Sequence, residues 1–193
     1  SALLENPKLL FQIVEQVRRN LDIPLTIKIR IQTPVNDLYL AAGIEASGAD
    51  ALIVHARRYR DDYDVPCQYS TIATIKSSIN IPVIANGDIA CRQSLADAKH
   101  LSLADGFMIS RAGCGKPWLF EDLLTDSSRS WSYALQVKLL RQHLLALVAL
   151  EGEYQACLQG RSLLRYYLRP FLHHLDMENI YKATCLRDFF AAI

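Results

Sequence analysis

Residues that can bind an anion or a polar ring interrupt or follow four short apolar segments of the sequence. They are Lys28, His55, Arg57, Asn86, Gly87, Asp88, Ser110 and Arg111. A guanidinium and backbone N–H groups suit a phosphate, whereas amide and imidazole groups suit the edge of a heteroaromatic ring. Glycine lets a ligand approach the backbone closely. The residue types therefore predict a site for a phosphate-bearing cofactor.

Each residue also allows a structural interpretation. Lys28 lies between Ile27 and Ile29, which predicts a buried cation that needs either an interior carboxylate or an electron-rich ligand as partner. His55 ends the run ALIVH and fits either a core histidine or a ligand-binding one. The pair Asn86-Gly87 fits either an ordinary turn or contact with a ring.

The four apolar segments alternate with helical patterns. A helix is predicted over residues 7–20, and strands are predicted over Leu25–Ile31, Ala51–His55, Pro82–Ala85 and Gly106–Ile109. Strands that are apolar on both faces and separated by helices indicate a parallel sheet, either doubly wound or closed into a barrel. In either case the chemistry-bearing residues lie at the carboxyl ends of the strands, where such folds bind their ligands.

The pattern becomes purely helical after the polar stretch Thr125–Arg129. Helices are predicted over Ala134–Leu150 and Arg161–Leu175, the second bent or stopped near Pro170. Arginines every four residues would line one face of the second helix; they are Arg161, Arg165 and Arg169. Such a stripe is either a solvated face or a surface for nucleic-acid phosphates.

Composition excludes several classes of protein. The net charge is +1, and the five cysteines show neither a CxxC pair nor metal-ligand spacing with the five histidines, so no metal site is predicted. Reduced thiols and the lack of a signal-like or bilayer-spanning stretch predict a cytoplasmic protein without membrane contact. The chain begins without Met at the edge of a helix, which suggests that a longer protein extends upstream.

A series of motifs resembles the tRNA-dihydrouridine synthase family. In chain order these are SALL-x-x-P, TIKIR, VH-x-R, IPVIANGDI, and MI-x-R followed by G-x-PWLF. The resemblance implies the later half of a TIM-type (β/α)8 barrel, with four β–α units in residues 1–126 that bind FMN. It also implies a small all-helical domain in residues 127–193 that contacts tRNA. The implied activity is FMN-dependent reduction of a tRNA uridine to 5,6-dihydrouridine, with NADPH as reductant.

The same resemblance implies individual roles. Lys28 and His55 would contact the isoalloxazine, Ser110 and Arg111 would hold the phosphate, and Arg57 would face substrate or cofactor. The residues Asn86, Gly87 and Asp88 would line the flavin, and Arg161, Arg165 and Arg169 would contact tRNA.

The chain also departs from the family pattern. Ala56 and Ser110 replace usual glycines, the loop Arg58–Gln68 differs from the usual glycine-containing loop, and Cys67 matches no motif. The N-x-GCP motif with the proton-donating cysteine is not in this sequence and is expected upstream of Ser1. We therefore expect no turnover from this chain alone.

Two other functions remain open at this stage. The chain could belong to another FMN- or phosphate-binding barrel oxidoreductase, or it could be a non-catalytic RNA-binding remnant. A truncated barrel would also leave open sheet edges, which favour self-association.

Overall fold

The computed structural model describes residues 2–125 and 131–193. The chain folds into two compact units, Ser1–Ala112 and Gly113–Ile193. The domain boundary predicted after residue 126 falls at the segment 126–130, which lies outside the described residues, and it stays a prediction.

The first unit contains a parallel four-stranded sheet. Its strands are β1 (Thr26–Arg30), β2 (Ala51–His55), β3 (Val83–Asn86) and β4 (Gly106–Met108), and their order in the sheet is β1-β2-β3-β4. The four predicted strands and their parallel arrangement are confirmed, with boundaries within two residues of those predicted.

Four helices accompany these strands: α1 (Pro7–Arg19), α2 (Pro34–Ala46), α3 (Tyr69–Ser78) and α4 (Arg92–Ser102). Asn6 caps α1 by accepting from the Leu9 N–H at 3.3 Å, and Thr33 caps α2 by accepting from the Asn36 N–H at 3.4 Å. Proline follows each cap at the first helical position, where its missing N–H leaves no hydrogen bond unmade.

The helices α2, α3 and α4 cover one face of the sheet. Crossovers between neighbouring parallel strands are right-handed, and a sheet in sequential order therefore places all its connecting helices on the same side. The side chains that point to these helices are fully buried, among them Leu52, Val54, Val83 and Ala85. The other face carries the polar residues.

Carboxylates in the turns before β2 and β4 hold the starts of the preceding strands. Asp50 accepts from the Leu25 N–H at 2.6 Å and pairs with Arg18 at 2.8 Å. Asp105 accepts from the Val83 N–H and pairs with Lys76, both at 2.7 Å. The same arrangement therefore occurs in the β1–β2 pair and in the β3–β4 pair. It lies at the amino ends of the strands, opposite the polar carboxyl ends.

All the regular secondary structure among the described residues of the second unit is helical. Its helices are α5 (Leu119–Leu124), α6 (Tyr133–Glu151), α7 (Glu153–Tyr167), α8 (Met177–Lys182) and α9 (Leu186–Ala191), with a 3-10 helix at Arg169–His174. Its core includes Leu140, Leu144, Leu164, Ile180 and Phe189.

Two predictions about local structure are wrong. Helix α7 begins at Glu153 rather than at Arg161, and it ends at Tyr167, so Arg169 opens the following 3-10 helix instead of continuing a stripe on α7. Lys28 is exposed rather than buried, because β1 is an edge strand in this sheet and Lys28 lies on the face that no helix covers.

Candidate functional site

The strand register places two of the predicted residues, His55 and Asn86, in a row on the uncovered face of the sheet. Arg30 pairs with His55, His55 with Asn86, and Asn86 with Met108. Partners in a parallel pair point to the same side, so these four side chains form one row across the carboxyl ends of the strands. Two residues earlier in β1, Lys28 lies on the same face.

His55 is held in its neutral form. It is 8% exposed, and burial is the main reason that its pKa falls from 6.5 to about 4, with further contributions from the cations Arg30, Lys28 and Arg57. A neutral imidazole carries one donor and one acceptor nitrogen. His55 can therefore hydrogen-bond an uncharged polar ring at neutral pH.

Asn86 joins the ends of β3 and β4. Its Nδ2 donates to the Met108 carbonyl at 2.8 Å and to the Ser110 hydroxyl at 3.1 Å. These bonds fix the amide plane, and they bring Ser110 beside the row. Two of the predicted residues are thus connected directly.

Gly87 stands at a position that excludes a side chain. Its φ is +129°, and a Cβ there would lie 2.4 Å from Cys67 Sγ and 3.2 Å from His55 Cδ2. Its carbonyl accepts a hydrogen bond from the buried Tyr69 hydroxyl. The backbone at Gly87 is therefore packed closely between His55 and the loop after β2.

Arg57 and Asp88 connect the loop after β2 to the turn after β3. The Arg57 side chain is 2% exposed and donates to both Asp88 oxygens, at 2.9 and 2.5 Å, and to the backbone carbonyls of Tyr63 and Val65. Hydrogen bonding to Asp88 keeps its pKa above the ordinary arginine value despite burial. Arg57 positions the loop, and its predicted contact with substrate or cofactor stays a prediction.

Arg111 is an exposed cation that follows β4. Its side chain is 58% exposed, its Nη2 lies 3.5 Å from Asp88 Oδ1, and its guanidinium stacks on the Tyr63 ring with the carbon 3.9 Å from the centroid. Cation–π stacking restricts where the guanidinium can point. The Asp88 carboxylate thus contacts both Arg57 and Arg111.

Cys67 contacts this carboxylate as well. Its Sγ lies 3.3 Å from Asp88 Oδ2, and burial together with Asp88 raises the pKa of the thiol to about 12. The thiol is therefore protonated at neutral pH. No disulfide joins the cysteines of the described residues.

The structure brings together most of the predicted cofactor residues and adds others. His55, Asn86, Gly87, Asp88, Ser110 and Arg111 form one connected group, with Lys28 on the same sheet face. Sequence reasoning did not single out Tyr63 or Tyr69, because their contacts depend on how the loop after β2 folds back. Although Lys28 is exposed, partial desolvation of its ammonium group and the charge of neighbouring Arg30 lower its pKa.

The predicted arginine stripe lies in the second unit. Arg161 Nη2 donates to the Ala183 carbonyl at 3.2 Å, and Arg165 Nη2 donates to the Tyr181 hydroxyl at 2.5 Å. Arg165 and Arg169 are exposed.

In the part of the chain that the structure describes, no cluster of metal-ligating side chains occurs and no helix is both long and apolar enough to cross a membrane.

Comparison with known protein families gives a match over residues 1–183 to dihydrouridine synthase (Dus). The chain belongs to the dihydrouridine synthase family. This confirms the resemblance drawn from the motifs and sets aside the alternative of an unrelated flavin barrel.

Curated relatives of the same family include tRNA-dihydrouridine synthase B from Pseudomonas syringae, 35% identical over 99% of this chain and 61% of the relative. The protein of that name from Pseudomonas aeruginosa is 32% identical over 99% of this chain and 62% of its own length. That from Pseudomonas putida is 34% identical over 87% of this chain and 52% of its own length. The chain thus spans about half to three-fifths of these relatives.

Among solved structures, phosphonopyruvate hydrolase complexed with oxalate and Mg²⁺ superposes with a TM-score of 0.52 and 18% identity, over 62% of this chain and 48% of that one. A second structure of phosphonopyruvate hydrolase gives a TM-score of 0.53. At this identity the likeness concerns the fold alone.

Proposed function

We propose that this chain forms the cofactor-binding later half of a TIM-type (β/α)8 barrel in a tRNA-dihydrouridine synthase. The enzyme would use FMN to reduce a tRNA uridine to 5,6-dihydrouridine, with NADPH as reductant. The observation that carries the proposal is the row of Arg30, His55 and Asn86 on the uncovered sheet face of a chain that belongs to this family.

The sheet itself supports a barrel segment rather than a doubly wound sheet. A doubly wound sheet reverses its strand order and carries helices on both faces. Here the described strands run in sequential order, and the face opposite the helices carries Lys28, His55 and Asn86. A polar inner face at the carboxyl ends of the strands is where such barrels place their active sites.

The residues present fit a flavin mononucleotide. Neutral His55 and the amide of Asn86 suit the polar edge of the ring, and Lys28 suits its carbonyl-rich side. Ser110 and Arg111 follow β4, and the loops after the last barrel strands commonly bind phosphate. The Asp88 carboxylate would repel the phosphate, but Arg57 and Arg111 both contact the carboxylate and offset its negative charge.

When bound, FMN supplies the hydride that reduces the uracil ring. The residues of this chain bind and orient: His55 offers a hydrogen bond without introducing a charge, and Gly87 leaves the space that Cys67 and His55 occupy beside it. Arg57 and Tyr69 do not need to meet the cofactor. They hold Asp88 and Gly87 in place.

For the second unit we propose contact with the tRNA backbone through exposed arginines. Arg169 is exposed and so is Arg165, although Arg165 also donates to the Tyr181 hydroxyl, whereas Arg161 is half-buried and donates to the Ala183 carbonyl. Phosphate contacts need an exposed cation, so Arg165 and Arg169 are the stronger candidates.

Because the proposed substrate is tRNA, we also propose a cytoplasmic location. Self-association through the β1 or β4 edge stays a proposal.

A titration of FMN fluorescence tests the cofactor assignment. The chain should quench the flavin saturably, and Arg111→Ala should weaken binding by about tenfold, since a charge-assisted phosphate contact is worth roughly 1.5–3 kcal/mol. Lys99→Ala removes an exposed cation near the C-terminal end of α4, away from the carboxyl ends of the strands; it serves as control and should bind like the unaltered chain. Equal affinity of the Arg111 variant and the control would contradict the phosphate role.

A further inference from the structure

A pocket lies beyond the carboxyl ends of β1 and β2, outside the row. Its volume is about 370 Å³, and it is lined in part by Glu5, Gln32, Arg58, Tyr59 and Arg60. That volume is within the range of ligand pockets, roughly 300–1,000 Å³. The pocket opens between the end of β1, the loop after β2 and the 3-10 turn Ala2–Glu5, and none of the predicted cofactor residues lines it.

Tyr59 is the aromatic residue in the lining of this pocket. Its side chain is 71% exposed although it is large and largely apolar, and Arg58 and Arg60 flank it in the sequence. An exposed aromatic ring beside cations can bind an unstacked nucleic-acid base, with the base on the ring and the backbone phosphate at the cations. The Arg-Tyr-Arg sequence therefore offers one ring on which a base can stack and two cations for its phosphate.

Arg58 is held in place at the pocket wall. Its Nε donates to the Gln32 carbonyl at 2.9 Å, and its backbone N–H donates to Asp61 Oδ2 at 2.8 Å. The guanidinium is thus fixed before any ligand binds, which lowers the entropic cost of binding. Arg60 is exposed beside it and adds a second positive charge.

We infer that this pocket binds a nucleotide of single-stranded RNA that flanks the uridine entering the flavin site. The base stacks on Tyr59, the phosphate lies between Arg58 and Arg60, and the carboxylate of Glu5 accepts a base N–H. This inference rests on the proposed function. A uridine must leave its stack to reach a flavin, and its neighbours are then unstacked and available to an aromatic side chain.

Fluorescence anisotropy with an unmodified tRNA transcript tests the pocket. Tyr59→Ala should weaken binding at least about fivefold, since stacking on one aromatic ring is worth roughly 1–3 kcal/mol, while Tyr59→Phe should bind like the unaltered chain. Arg60→Ala should reduce the salt dependence by about one phosphate contact. Lys99→Ala, which removes an exposed cation near the end of α4, is the matched control and should leave binding unchanged.

The outcomes separate the inference from the proposed function. If the unaltered chain binds tRNA and the Tyr59 and Arg60 variants bind equally well, the pocket assignment is overturned and the proposed function stands. If Lys99→Ala weakens tRNA binding as much as Arg60→Ala, the surface cations attract tRNA without regard to their position, and the pocket assignment is likewise overturned. If the unaltered chain binds FMN but no tRNA, both the inference and the tRNA part of the proposed function fail. Thermal melting of each variant confirms that these exposed substitutions leave the fold intact.

Discussion

Arg57 and Asp88, which are 31 residues apart in the chain, form a two-pronged ion pair with N–O distances of 2.9 and 2.5 Å. The arginine is almost fully buried, whereas the Asp88 side chain is 37% exposed. Because Arg57 also donates to two carbonyls of the loop after β2, the pair connects that loop to the turn carrying Gly87. The shape of the cofactor half-site therefore depends on a residue that need not meet the cofactor.

Replacing Arg57 with alanine should destabilise the chain by about 3 kcal/mol, measured as the free energy of unfolding in urea. Removing one partner of a buried ion pair costs roughly 3–5 kcal/mol of unfolding free energy. Because Asp88 is partly exposed, we expect a cost at the low end of that range. Arg60→Ala removes an exposed arginine from the same loop and should change stability by less than about 0.5 kcal/mol. An Arg57→Ala protein that unfolds at the same urea concentration as the control would contradict the positioning role.

Introducing a side chain at Gly87 should destabilise the protein through its contact with Cys67. Gly87→Ala carries the strain of φ +129° and a Cβ 2.4 Å from Cys67 Sγ, and a strained residue alone costs roughly 1–3 kcal/mol. In the Cys67→Ala background, which lacks the sulfur, the cost of Gly87→Ala should fall. A double-mutant cycle of unfolding free energies measures the difference. Equal costs in both backgrounds would show that the thiol does not limit the space at Gly87.

The apolar periodicity of the sequence was sufficient to predict the sheet. The strand predicted at Ala51–His55 has those same boundaries in the structure, because five residues without a breaker are bounded by turn signals. The register then follows from the period of two, which places Arg30, His55 and Asn86 on one face. Residue type and strand position were thus enough to single out Lys28, His55 and Asn86, which share this face.

Contacts between distant loops could not be predicted in this way. Neither the Arg57–Asp88 pair nor the hydrogen bond from Tyr69 to the Gly87 carbonyl leaves a periodic signal in the sequence. The early start of α7 was missed for a related reason: Gly160 is a weak helix former, yet it suits this helix because a Cβ there would lie 2.9 Å from Phe189 Cζ. Tertiary packing overrides local preference at such positions.

Acid should weaken the fold through His55. Its pKa is about 4 in the folded chain and 6.5 in the reference state, so between these values the unfolded chain binds more protons. Stability contributed by His55 is therefore complete above pH 6.5 and is lost as the pH falls toward 4. The free energy of unfolding, measured in urea at pH 7.5, 5.5 and 4.5, should fall more steeply for the unaltered chain than for His55→Gln.

His100→Gln provides the control for this measurement, because His100 is exposed on α4. Its pH dependence should match that of the unaltered chain. Parallel curves for the His55 variant and the unaltered chain would contradict the buried, neutral state of His55.

Asp105 should stabilise the first unit mainly as a hydrogen-bond acceptor. It accepts from the Val83 N–H at the start of β3, whereas its ion pair with Lys76 is partly exposed and such pairs contribute little. Asp105→Ala should cost about 1 kcal/mol of unfolding free energy. Asp105→Asn retains a carbonyl acceptor and should cost less, and Lys76→Ala should cost least.

The pH dependence separates the charge of Asp105 from its role as acceptor. Lys76 and the Val83 N–H hold the pKa of Asp105 below its usual range, so the stability it contributes is present above pH 3.8 and is lost as the pH falls through the folded value. The difference between the unaltered chain and Asp105→Asn should therefore shrink in acid. Asp50 occupies the equivalent turn before β2, and Asp50→Ala should reproduce the effect of Asp105→Ala. If Asp105→Asn were as unstable as Asp105→Ala at neutral pH, the ion pair rather than the strand hydrogen bond would be the source of the stabilisation.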